Sequence, residues 1–366
     1  MPESRLHQLD ALGQSVWSDY LSRTLLHSGG LARLMEEDAV TGVTSNPTIF
    51  QKAIAEGNAY DDQMRDLLEH EDDAKEIFIA LAGRDIGEAC DLMRAVWDEG
   101  KGLRGWVSFE VDPNLAGDTE GTIAEAKRLA ALVSKPNLYI KIPATKPGLP
   151  AIEEMIAVGQ SINVTLIFSI QRHREVMEAY MRGIERLIES GGDPRSVGSV
   201  ASYFVSRVDT EADKRLDGHP ELQGKLAVAN AKLAYESWKE IFSGERWAAL
   251  EAQGATKQWC LWASTSTKNP AYRDVLYVED LIGPDTVNTM PQETIEAFQD
   301  HGDVRLTLEE GIDDARKVFE DVEAAGVSVD DVTRVLEEEG VQKFAESFAE
   351  LLDGIRAKRG DLLVNA

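Results

Sequence analysis

The middle of the chain alternates between two rhythms. Short runs rich in β-branched and aliphatic residues fall at 41–45, 103–111, 138–142, 162–168, 199–205, 258–263 and, more weakly, 286–290. Between them lie stretches such as 122–134, 171–190 and 225–242, where apolar residues recur every three or four positions, the spacing of an amphipathic helix. Strand, helix, strand, helix predicts parallel pairing through right-handed crossovers. A further short run at 15–19 brings the strands to eight and favours a closed barrel. No Gly-x-Gly-x-x-Gly turn follows the first strand, which weighs against a doubly wound sheet. The expected fold is α/β, a (β/α)8 TIM barrel with additional helices, with its chemistry at the carboxyl ends of the strands. From about residue 300 the segments 306–311, 329–332 and 344–352 read instead as successive acidic amphipathic helices. No Pro/Gly/Ser-rich linker intervenes, so the expected organisation is a barrel catalytic domain over 1–299 and a helical C-terminal extension over 300–366 packed on it.

Alternation within the strands carries the next inference, because successive side chains leave a strand on opposite faces. In the run from Trp106 to Asp112, Val107, Phe109 and Val111 take one face while Ser108, Glu110 and Asp112 take the other. Lys141 opposes the aliphatic parity of Leu138, Ile140 and Ile142, and Asn163 and Thr165 share a face. Strands of a parallel barrel are covered on both sides, so polar residues of one parity must point inward. Lys141 is the sharpest of these, since a cation between Ile140 and Ile142 is costly to bury. It reads either as a structural lysine salt-bridged to Glu110 on the neighbouring strand or as a Schiff-base lysine. In the second reading Glu110 shuttles protons and Thr165 holds the water that carries them.

Charge narrows the partners. With 38 basic and 65 acidic residues the net charge is −27, which argues against nucleic acid and anionic membrane surfaces. A composition 43% hydrophobic and 28% charged is ordinary globular material, and no uninterrupted apolar stretch is long enough for a membrane span. The polar start of the sequence carries no apolar signal core, and Cys90 and Cys260 in apolar contexts suit buried thiols, so a cytoplasmic protein is expected. The histidines, including His27, His70, His173, His219 and His301, lack metal-ligand spacing, and no Cys-x-x-Cys occurs; neither metal nor cofactor is expected.

Two stretches carry a family resemblance. The segment Gly42-Val43-Thr44-Ser45-Asn46-Pro47-Thr48-Ile49-Phe50 resembles the N-terminal signature of the transaldolases, and Leu138-Tyr139-Ile140-Lys141-Ile142-Pro143-Ala144-Thr145 resembles their active-site lysine signature. Between and after them, Phe109-Glu110-Val111-Asp112, Asp118-Thr119-Glu120 and Asn163-Val164-Thr165-Leu166-Ile167-Phe168-Ser169 follow in the family's order, so the likeness runs from about residue 19 to 291. It implies the longer bacterial type of transaldolase and a place in the non-oxidative pentose phosphate pathway. The implied reaction moves a dihydroxyacetone unit from sedoheptulose 7-phosphate to glyceraldehyde 3-phosphate, giving erythrose 4-phosphate and fructose 6-phosphate. Sugar phosphates would be the only partners of a monomer or homodimer.

Carried over position by position, the resemblance makes Lys141 the imine-forming lysine. Asp19 becomes the base for the donor's C4 hydroxyl, and Glu110 and Thr165 the pair that works through water. It also implies that Asn46 and Asn163 hold donor hydroxyls, that Ser202 and Phe204 line the substrate wall, and that Arg207 binds phosphate. Ser264 and Lys268 fall in the second phosphate segment, where many relatives place an arginine at the position of Lys268. Plainer readings stand beside these: Asn46-Pro47 as a turn, Arg207 as a surface ion-pair former with Asp209 and Glu211, Asp112 as a loop cap, and the tryptophans at 238, 247, 259 and 262 as packing. A fructose 6-phosphate aldolase would use the same lysine. A non-catalytic phosphosugar-binding protein would tolerate loss of Lys141 or Glu110, and both are present.

Overall fold

A computed structural model of the chain describes residues 4–45, 47–55 and 57–364. Eight strands, all parallel, close in sequence order: β1 (Gln14–Ser18), β2 (Val40–Val43), β3 (Trp106–Glu110), β4 (Leu138–Pro143), β5 (Ile162–Ile167), β6 (Ser199–Phe204), β7 (Trp259–Ala263) and β8 (Thr286–Met290), with β8 returning to β1. The expected barrel is therefore present, with each strand within a few residues of its anticipated position. The largest difference is at β3, expected from residue 103. Lys101, Gly102 and Gly105 all hold positive φ, so the chain turns there and extends only from Trp106. Gly105 also passes so close to the preceding helix that a Cβ would sit 2.4 Å from Trp97 N.

Parity sorts the barrel into two layers. Val107, Phe109, Ile140 and Ile142 face the surrounding helices and are buried. The opposite parity begins low in the barrel with aromatic rings. Tyr139 stacks on Trp106 at 4.0 Å between centroids and on Trp17 at 6.1 Å, and all three rings are buried. Two residues further along, roughly 6.6 Å up the strand, the same faces carry Ser108 and Lys141. The interior thus has an aromatic floor and a polar upper layer. Trp238, Trp247 and Trp262 are buried among the outer elements, as packing, and Cys90 and Cys260 are buried free thiols.

The C-terminal part differs from expectation in one segment. Residues 306–311 are a turn rather than a helix, because Thr307 and Leu308 both donate their N–H groups to Ile282 O, at 3.0 and 3.1 Å. Thr307 Oγ1 donates to Glu279 O at 2.6 Å, and Gly311 takes φ 66° as the cap of the helix that starts at Ile312. Segments 329–332 and 344–352 are parts of one 36-residue helix, Val329–Val364. That helix lies along Pro47–Ala55, Ala74–Glu99 and Ser206–Arg215 and reaches β5, so it crosses the carboxyl end of the barrel. Among the described residues no helix is long and apolar enough to cross a membrane.

Candidate active site

The ladder places the reactive residues. Glu110 on β3 pairs in register with Lys141 on β4, Lys141 pairs with Asn163 on β5, and Thr165 pairs with Pro143. Lys141 Nζ lies 3.4 Å from Glu110 Oε2, with the two side chains 7% and 9% exposed. A tight charge-assisted bond spans about 2.7–2.9 Å, so the amine is neighboured by the carboxylate without being clamped to it. Burial pushes the Glu110 carboxyl above its ordinary range; the charge and hydrogen bond of Lys141 oppose the shift, and Asp19 adds to it. A carboxylate raised in this way is a stronger base.

Asp19 follows β1 directly, its N–H bonded to Met290 O at 2.9 Å. Thr44, just beyond β2, donates to Asp19 Oδ1 at 2.8 Å. Burial raises the Asp19 carboxyl, opposed first by the charge of Lys141, then by the Thr44 hydrogen bond and by Arg207, while Glu293 pushes it further up. Two carboxyls of raised affinity for protons therefore flank one lysine from different sides, the pairing of titratable groups that marks functional sites.

Beside the lysine runs a chain of hydrogen bonds. Ser202 Oγ donates to Asn163 Oδ1 at 2.7 Å, Asn163 Nδ2 donates to Ser108 Oγ at 3.1 Å, and Ser45 Oγ donates to Ser108 O at 2.9 Å. The Asn163 amide is thus engaged within the barrel and fully buried, so the structure does not bring it to the open wall. Thr165 differs: its Oγ1 is buried without a protein partner among the described residues, free for a water or a substrate hydroxyl. Directly after it, Leu166 takes φ 60° and the β5–β6 register shifts between Val164 and Ile167. A leucine there costs of order 1–3 kcal/mol, and such outliers cluster at functional sites.

Above this layer opens a cavity of about 830 Å³, whose lining includes Asp19, Lys141, Thr165, Ser202, Phe204 and Arg207. Its size suits a sugar phosphate. Arg207 is the second residue of helix Ser206–Arg215, and its guanidinium rests 5.0 Å from the centre of the Phe204 ring. The alternative of Arg207 as an ion-pair former does not hold. Asp209 is taken by Ala227 N–H and the Tyr277 hydroxyl, and Glu211 by Lys214 and Arg215. Ser264, with φ 56°, shares a 2.9 Å hydrogen bond with Ser206, and Lys268 is exposed at the rim, donating to Ser266 at 2.7 Å. Asp112 has the plainer role: it caps the turn at Asn114 and pairs with Lys75 at 2.8 Å. Asn46 lies outside the described residues. Among the described residues no three His, Cys, Asp or Glu side chains converge to hold a metal ion.

The sequence profile of the Transaldolase/Fructose-6-phosphate aldolase family matches residues 16–355. The chain belongs to this family. It is 52% identical to the transaldolase of Frankia alni over 361 residues, covering 97% of both chains. The transaldolase of Mycolicibacterium paratuberculosis is 50% identical over 362 residues, again 97% of each, and that of Thermobifida fusca 51% over 358 residues, covering 96% of this chain and 97% of the relative. The family resemblance drawn from residues 19–291 thus extends well into the C-terminal helix.

Several lining residues of this transaldolase-family site had not been singled out. Thr44 stood inside the 42–50 signature but carried no role. Glu293 reaches the mouth from the start of helix Gln292–His301. Lys343, Phe344 and Ser347 come from the long C-terminal helix, with the Phe344 ring centre 5.5 Å from Lys141 Nζ. For Phe344 and Ser347 the apolar periodicity of 344–352 is the one hint, and periodicity names a buried face without naming its partner.

Proposed function

We propose that this transaldolase moves a dihydroxyacetone unit from sedoheptulose 7-phosphate to glyceraldehyde 3-phosphate, releasing erythrose 4-phosphate and fructose 6-phosphate, through an imine on Lys141. The observation that carries the reading is one buried amine 3.4 Å from a buried carboxylate, in a cavity that Asp19 also lines. Glu110 accepts a proton from the Lys141 ammonium, and the free amine attacks the donor's C2 carbonyl. Through a water held at Thr165 Oγ1, Glu110 returns that proton to the carbinolamine hydroxyl, which leaves as water and gives a cationic imine. Asp19 then takes the C4 hydroxyl proton as the C3–C4 bond breaks, the electron pair moving into the imine to leave an enamine. The first aldose phosphate departs. The enamine attacks the acceptor aldehyde, whose oxygen recovers the proton from Asp19, and water restores ketose and free lysine. Arg207 grips the phosphate and the Phe204 ring braces the guanidinium.

Two unpaired thiols suit a reducing compartment, so we place the reaction in the cytoplasm. The test has two parts. Borohydride with fructose 6-phosphate should inactivate the enzyme and add one sugar-phosphate mass to the peptide holding Lys141; a label on another lysine would refute the assignment. Fructose 6-phosphate should turn over far faster with erythrose 4-phosphate present than alone. Equal rates would make the enzyme a fructose 6-phosphate aldolase instead.

A further inference from the structure

The C-terminal helix carries a pair of charges that the reaction above does not use. Glu339 and Lys343 form an i,i+4 ion pair, Lys343 Nζ to Glu339 Oε2 at 2.6 Å, with side chains 41% and 59% exposed. An ion pair so exposed contributes about 0–1 kcal/mol, so it is a weak latch. Its lysine lines the same cavity as Arg207. The helix cannot easily present Lys343 elsewhere. Gly340 sits against Leu166 and Phe168, where a Cβ would come within 3.1 Å of Leu166 Cδ2. One and two turns on, Phe344 faces Lys141 and Phe348 packs edge-on to Phe78 at 5.8 Å. These contacts fix the rotation of the helix and aim Lys343 and Ser347 into the cavity.

We propose that Lys343 is a further cationic ligand of the substrate phosphate beside Arg207 and that Glu339 is its stand-in anion, giving up Lys343 when a phosphate dianion arrives. This rests on the reading of Arg207 as the first phosphate ligand. Glu339 also acts on Arg207, whose guanidinium burial would otherwise weaken further as a cation. Asp19 opposes that loss more strongly, so Glu339 acts on Arg207 as the lesser of two carboxylates while pairing directly with Lys343. A phosphate dianion carries twice its charge and three acceptor oxygens, enough to win both cations. The arrangement also answers an electrostatic problem: a chain of net charge −27 must concentrate positive charge at the mouth to admit a dianion. The C-terminal helix would then contribute affinity for phosphorylated sugars rather than chemistry.

The experiment follows borohydride trapping of the donor alone, with fructose 6-phosphate or with unphosphorylated dihydroxyacetone, in wild type, Lys343→Gln, Lys343→Arg, Glu339→Gln and Arg207→Ala. Circular dichroism confirms the helix in each. Arg207→Ala should raise the half-saturating fructose 6-phosphate concentration by about 10- to 100-fold, the scale of one lost charge-assisted contact. Lys343→Gln should raise it by about 3- to 10-fold, as fits a more exposed point charge, with Lys343→Arg close to wild type. Glu339→Gln should lower it, because the competing anion is gone. Dihydroxyacetone should respond to none of these changes at 339 or 343. If Lys343→Gln leaves fructose 6-phosphate unchanged while Arg207→Ala weakens it, the proposal fails and the Arg207 reading stands. If neither matters, the phosphate reading fails as well. An equal effect of Lys343→Gln on both donors would make the lysine structural and also overturn the proposal.

Discussion

Lys141 and Phe344 face each other across 5.5 Å, yet they reach that position by opposite routes. Lys141 stands on β4, its direction set by strand parity and its height by register with Glu110 and Asn163. Nothing short of breaking the barrel ladder can re-aim it. Phe344 arrives on a helix from the far end of the chain, held by side-chain packing at Gly340 and Phe348 and flanked by exposed ion pairs. The comparison teaches a division of labour: bond-making groups sit where the backbone fixes them, and the groups that shape affinity sit on an element seated by packing alone. Damage on the strand side should abolish chemistry at any substrate concentration, and damage on the helix side should be overcome by more substrate.

The comparison breaks most sharply at Lys141. Lys141→Ala should abolish turnover and borohydride labelling while leaving the circular dichroism spectrum unchanged; persistent labelling would move the imine elsewhere. Asp19→Ala should come next, losing ~10² to 10⁴ in kcat as one proton-transfer group does, while still trapping an imine with borohydride. Turnover within a few-fold of wild type would remove Asp19 from the chemistry.

On the helix side, Gly340→Leu should force the helix away from Leu166 and Phe168 and cost about 1–3 kcal/mol through overpacking. It should raise KM for fructose 6-phosphate with kcat nearly kept, read from steady-state kinetics and a thermal melt. Gly340→Ala sets a helix-propensity gain of about 0.5–1 kcal/mol against a milder clash and should come out near neutral. Should Gly340→Leu lower kcat with KM unchanged, the helix would belong to the chemistry and the division would be wrong.

The smallest effect concerns pH. The Asp19 carboxyl is raised by burial and drawn back by the charge of Lys141 and by the Thr44 hydroxyl, which favours its ionised form. A base must be deprotonated to act, so the acid limb of kcat should lie above the ordinary aspartate range. Thr44→Val removes a hydrogen bond to the carboxylate and should move that limb to higher pH. An unmoved limb, or one displaced downward, would show that a different group limits the rate.

Legibility in the sequence followed the same division. A period of two marks the strands, and the polar parity of Ser108, Glu110, Lys141 and Asn163 announces an inward polar layer. Asp19 was harder, because Gln14–Ser18 is a short run whose strand character comes from pairing with both β2 and β8. The turn at 306–311 reads as helix because Val304, Leu308 and Ile312 keep a four-residue spacing, whereas Thr307 and Leu308 spend their N–H groups on Ile282 O. Lys343 and Glu339 were invisible for a related reason. On a helix a lysine four residues from a glutamate reads as a solvated surface pair, and only the docking of that helix across the barrel turns it toward a cavity.

The stacked rings of Trp17, Trp106 and Tyr139 make the barrel a blind well rather than a tunnel. Everything that enters must leave by the same doorway, which gives the proposed reaction its traffic order. The second aldehyde cannot approach until the first has backed out, and the three-carbon fragment avoids eviction only by being tethered to the bottom through its nitrogen. Initial-rate plots should therefore show parallel lines, the mark of a ping-pong cycle. At high concentration each aldose phosphate should compete with the ketose for the free enzyme, since one entrance cannot serve two queues at once.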